Sequence, residues 1–171
     1  MFPTFNIYST VLLVLTIQGI IFSFLLFKRF YQQKNPSNLL LSLVLLITCY
    51  HQTTYTIGFM DWYDTYPTTK INYYLVDLSF LLAPLIYYYL RSVVSPFFKL
   101  KDIKYWHFIP MLVYFLIKLI ILIYDSGQPG FDEVQNGYLV TTFEWKYLNP
   151  FVFLLKTLQM LLYLAFSLQT L

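Results

Sequence analysis

Charge is scarce in this sequence. Of 171 residues, 11% are Asp, Glu, Lys or Arg, against about 25% in an ordinary soluble domain. A soluble fold with so few charges would expose wide apolar patches. With 58% hydrophobic residues and a mean hydropathy of +0.61, the composition excludes a disordered chain and argues against a soluble globular enzyme. The single cysteine, Cys49, excludes an internal disulfide and a multi-cysteine zinc site. The net charge of +3 is too small and too scattered for a nucleic-acid surface, so no nucleic acid is expected to bind these residues. Five glycines encode close small-xxx-small packing only weakly. No HExxH, Walker loop, GxSxG or magnesium-holding acidic cluster occurs. Neither catalysis nor a cofactor is expected.

What is present is long apolar runs. A membrane helix needs about 20 mostly apolar residues, and five segments qualify, near 8–27, 38–59, 71–90, 105–124 and 147–171. The expectation is an all-α, polytopic membrane helix bundle, one transmembrane domain over 1–171, with the lipid bilayer as its first partner. The loops sort the charge. Lys and Arg in the four successive loops number 3, 1, 4 and 1. Positive charge favours the cytoplasm, which puts the N-terminus outside and the C-terminus inside. Segment one has no positive n-region and is not a cleaved signal peptide. Trp62 and Tyr63, Tyr105 and Trp106, and Trp145 and Tyr147 fall where an aromatic belt belongs. The longest loop, 125–146, is expected outside, with NGYLVTTFEW as a hairpin or lying across the mouth of the bundle.

Ionisable residues inside spans are costly and are functional candidates by default. Four occur: His51, Asp77, Lys118 and Lys156. At ~1.5 Å per residue, all fall in the outer half, whereas His107 lies at the opposite interface, so the two histidines cannot share a metal. The outer half of segment two, TCYHQTTYT, is polar, and hydroxyls and amides in lipid need partners. These residues suggest a polar pocket open to the outside, with His51, Gln52, Tyr55, Asp77, Tyr114 and Lys118 as ligand-binding candidates and Tyr73 and Tyr74 on its rim. Two lysines against one aspartate would make it positive, suited to a polar or anionic small ligand. The blander alternatives are an Asp77–Lys118 structural pair, a snorkelling Lys156, a packing His51 and an inert Cys49. Pro84 and Pro110 would permit bending, or are simply tolerated.

Several strings in order, IQGIIFSFLLF (17–27), NPSNLLLSLVLL (35–46), LLAPLIYYYLRSV (81–93) and KLKDIKYWHFIPMLV (99–113), resemble the N-terminal membrane region of AraC-type transcriptional regulators of Bacteroidetes-like bacteria. The resemblance implies a multi-span inner-membrane domain ahead of a cytoplasmic helix-turn-helix domain. Such proteins usually have about seven spans; this chain ends apolar at Leu171, so on the resemblance it reads as truncated before the DNA-binding domain. What would remain is a sensory or anchoring region, with a homodimer among the assemblies this allows. The resemblance assigns no site residues. The membrane sensor region of a histidine kinase and a small-molecule transporter fragment are the competing readings.

Overall fold

The computed structural model describes residues 6–62, 74, 77–134 and 136–170. Tyr63, Asp64, Lys70, Tyr73 and the expected start of the third span near 71 lie outside the described residues. Among the described residues no strand occurs, and the chain is an all-α bundle. Its helices are α1 (Ile7–Gln33), α2 (Pro36–Phe59), α3 (Ser79–Val94), α4 (Ile109–Ser126) and α5 (Asn149–Thr170). A 3₁₀ turn, Tyr105–Phe108, leads into α4, and a π-helical segment, Val140–Leu148, leads into α5.

Local chemistry sets the ends. Asn6 caps α1 by accepting from the Ser9 N–H at 2.8 Å, and its own N–H donates to Ser9 Oγ at 3.0 Å, the reciprocal capping box. α1 runs past the basic Lys28 and Arg29 until Lys34 turns left-handed at φ 56°. Asn35 then caps α2, with Pro36 in its first turn, where a missing N–H costs nothing. The two helices therefore form a tight antiparallel hairpin. Its open end is closed by Asn6 Nδ2 donating to the Phe59 carbonyl at 2.6 Å and by Tyr8 stacked on Phe59.

α1 is apolar outside and polar inside. Its buried residues are Ser9, Thr16 and Ser23, while Ile7, Val14, Ile21, Phe24 and Leu25 are exposed. That is the reverse of a soluble helix, and it fits an apolar solvent. The buried residues recur every seven positions and let α2 approach closely. Ser23 and Ser42 each donate to the other's carbonyl, at 2.8 and 2.9 Å. Gly19 backs directly onto Cys49 Sγ. Close packing is thus encoded after all, by serine and threonine where glycine is scarce. Ser42→Ala is expected to cost about 0.6–1.7 kcal/mol, read as a lower midpoint in detergent unfolding. No change would mean that the serine pair is incidental.

Four helical stretches, Ile7–Gln33, Pro36–Phe59, Tyr105–Ser126 and Val140–Thr170, are long and apolar enough to cross a membrane. The described helix of the third expected span is shorter. α3 has 16 residues, about 24 Å, short of a ~30 Å hydrocarbon core, and Asp77 lies ahead of it rather than within a helix. The Asp77 carboxylate accepts from the Ser79 N–H at 2.8 Å. It satisfies one of the orphan donors of a helix start, which an aspartate inside a helix could not do.

The prolines are accommodated in different ways. Pro110 sits in the first turn of α4, so it removes no helical hydrogen bond. Pro84 lies inside α3 and deprives the Phe80 carbonyl of its i+4 donor. Gln159 of α5 supplies the replacement, its Nε2 donating to that carbonyl at 3.2 Å. A neighbouring helix has re-satisfied the freed backbone group, and the proline has become an interhelical tie. Pro150 likewise cannot donate to the Lys146 carbonyl, and the turns before it are wound as π-helix.

Two apolar clusters fill the bundle. One joins Phe80, Met111, Tyr114, Ile121, Val140, Leu148 and Val152; the other joins Leu40, Ile47, Leu85, Tyr88 and Phe98.

Candidate functional site

The polar half of α2 largely satisfies itself. Thr48, Thr53, Thr54 and Thr56 donate to the carbonyls of Val44, Cys49, His51 and Gln52 at 2.7–2.9 Å. Such back-bonding to the preceding turn removes the need for a water-filled pocket to solvate those hydroxyls. Tyr55 is 66% exposed and points away from the bundle, so the structure does not bring it to the other candidates. Gln52 is half-buried.

The remaining candidates fall into two adjoining clusters. In the first, Asp77 Oδ2 is ion-paired with Lys156 Nζ, and His51 Nε2 lies 3.4 Å from Asp77 Oδ1. Lys156 also lies 5.7 Å from the Phe80 ring and 5.9 Å from the Tyr114 ring, a cation–π setting. It reaches inward, so it does not snorkel. In the second cluster, Lys118 Nζ donates to both oxygens of Glu144 at 2.7 and 2.8 Å, and the two side chains are 3% and 7% exposed. Tyr114, one turn before Lys118, connects the clusters.

The expected Asp77–Lys118 pair is therefore replaced by two others. Span order does not reveal this, because Glu144 falls in the 125–146 stretch that the loop charges place outside. In the structure 140–148 is helical, with Val140, Glu144 and Leu148 buried at every fourth position; it is no external hairpin. The expected positive excess also disappears, since Lys118 and Lys156 face Glu144 and Asp77.

A further buried acid was missed. Asp125, 0% exposed, was placed in the same loop. It accepts from the Leu139 and Val140 N–H groups at 2.8 and 3.4 Å and from the Tyr74 hydroxyl at 2.8 Å. It thus caps the last helix from the end of α4, where both the orphan N–H groups and the helix dipole favour a carboxylate. Gly137 lies against Asp125 and Tyr74, and a Cβ there would overlap both. The signal for both acids was legible. Met111, Tyr114, Lys118, Ile121 and Asp125 repeat at spacings of three and four, and all are buried.

Among the described residues no group of three or more His, Cys, Asp and Glu is placed to hold a metal ion. Cys49 is buried and free. A cleft of about 500 Å³ between α4 and α5 is lined by none of the six candidates. Comparison with protein-family models, with curated proteins and with solved structures gives no match.

Proposed function

We propose that this chain is the membrane-embedded sensory or anchoring region of a one-component transcriptional regulator in a bacterial inner membrane. Its N-terminus is outside and its C-terminus cytoplasmic, and it signals to a DNA-binding domain outside these residues. The observation that carries the reading is the way buried and half-buried ionisable side chains tie the helices together. Lys118–Glu144, His51–Asp77–Lys156 and the Asp125 cap join α2, the start of α3 and α4 to α5 and the segment that leads into it. A disturbance at any one of these groups is felt by α5, which leads to Leu171. The resemblance of 17–113 to AraC-type membrane regions supports the output, and the loop charges support the orientation.

Two measurements test this. Fluorescent-protein fusions after Lys34 and Lys101 should glow, and an alkaline phosphatase fusion after Gln128 should be active; the opposite pattern removes the orientation. For the output, a DNA-binding domain that needs dimerisation is joined after Leu171 and its reporter is read. The Lys118→Met, Glu144→Leu double variant, which removes the buried pair while keeping an apolar core, should change reporter output at equal membrane levels. Output equal to that of an unrelated single-span anchor would leave no sensory role.

A further inference from the structure

The cleft between the start of α4 and the C-terminal half of α5 is lined by Trp106, Pro110, Leu155, Leu158, Leu162 and Phe166 among others. Its polar wall groups are already used: His107 Nδ1 is bonded to the Tyr163 hydroxyl, and the Gln159 amide to the Phe80 carbonyl. What it offers an occupant is apolar contact. Along α5 from Leu155 to Phe166 it extends about 17 Å, close to the ~15 Å hydrocarbon depth of one leaflet. An acyl chain needs no more than this: an apolar contact about as long as a leaflet is deep.

The mouth of the cleft has a different character. Trp106 and Tyr105 are 76% and 86% exposed, the place of amphipathic rings at the headgroup level. Lys104 directly precedes them, with Lys99 and Lys101 nearby; all three are exposed, and Asp102 is the one acid among them. This loop is anchored to the cleft. The Lys104 N–H donates to the Tyr88 hydroxyl at 2.9 Å, and the Tyr88 ring meets His107 edge-on at 5.3 Å. An apolar slot about one leaflet long thus adjoins a loop that carries three exposed lysines and whose backbone at Lys104 is tied to the cleft wall through Tyr88 and His107.

We propose that this cleft holds one acyl chain of a membrane phospholipid whose anionic headgroup rests on Lys101 and Lys104. The site does not depend on the sensory reading. It is tested with the full chain carrying Trp62→Phe and Trp145→Phe, so that Trp106 alone reports. The protein is reconstituted in phosphatidylcholine vesicles containing, at equal mole fraction, either brominated phosphatidylglycerol or brominated phosphatidylcholine. The anionic lipid should quench Trp106 with an apparent affinity about fivefold higher per contributing lysine. Lys101→Gln with Lys104→Gln should abolish the difference. Native mass spectrometry of the unsubstituted chain, which needs no tryptophan change, should retain phosphatidylglycerol over phosphatidylcholine. Equal quenching and equal retention would overturn the proposal. So would a Trp106 shielded from both lipids, which would mean that a second copy or another helix covers the cleft.

Discussion

Glu144→Gln is expected to destabilise the bundle by roughly 3–5 kcal/mol, the cost of stripping a buried charge of its partner. The Lys118 ammonium would keep a single neutral amide in place of a carboxylate that now accepts two of its hydrogen bonds, at 2.7 and 2.8 Å. Lys118→Met should cost about as much, because it leaves Glu144 charged and unpaired. Lys118→Met combined with Glu144→Leu should return most of the loss, since apolar residues of similar volume replace a buried pair at little or no cost. The full cycle can be read from unfolding midpoints in detergent by circular dichroism. A double variant no better than the singles would mean that the two residues are not coupled. Exchanging Asp77 with Lys118, the pair that span order alone suggests, should instead damage both clusters, since each partner would then face a like charge.

The second large effect is expected at Asp125. Asp125→Ala leaves the Leu139 and Val140 amides and the Tyr74 hydroxyl without their acceptor. An orphaned buried donor costs about 1–3 kcal/mol, and with water reaching Tyr74 the total should be near 3 kcal/mol. Asp125→Asn keeps one acceptor oxygen but loses the charge that the helix N-terminus favours, so it should fall between wild type and alanine. The specific signature is local: hydrogen exchange at the Leu139 and Val140 amides should accelerate more than exchange in α1 and α2. Uniform acceleration would assign Asp125 a general packing role. Gly137→Ala should give the same local pattern, because its Cβ would displace the carboxylate from those amides.

The two expectations differ in what could have foreseen them. Asp125 and Lys118 share a face with Met111, Tyr114 and Ile121 at spacings of three and four, and Glu144 shares one with Val140 and Leu148. Both faces are visible in the sequence. They were obscured because Asp125 and Glu144 lie where a hydropathy profile turns polar, and charge there reads as loop. What periodicity does not provide is the partner. Lys118 had two acids within plausible depth, and only the winding of 140–148 carries Glu144 inward. The π segment ahead of Pro150 decides that geometry.

The hydroxyl-rich stretch of α2 teaches the opposite lesson. Four threonines in an apolar setting suggest a pocket, yet each finds its acceptor three or four residues back along its own helix. A threonine can satisfy its hydroxyl locally, whereas His51 of α2 and Lys156 of α5 converge on the Asp77 carboxylate ahead of α3. Charged side chains are therefore better reporters of interhelical contact than hydroxyls. Serine becomes one only where two backbones come close, as at Ser23 and Ser42.

The sequence by itself determined that the chain is an apolar helical bundle and where most of its helices run. Those properties are sums over many residues: hydropathy over a window, caps at Asn6 and Asn35, a break at Lys34. The tertiary structure alone decided which buried charges meet, that Pro84 ties α3 to α5 through Gln159, and that an apolar cleft lies between α4 and α5. Those depend on a few ångströms between helices far apart in the chain, and in an apolar medium each buried charge must find a partner at that distance, with no water to stand in.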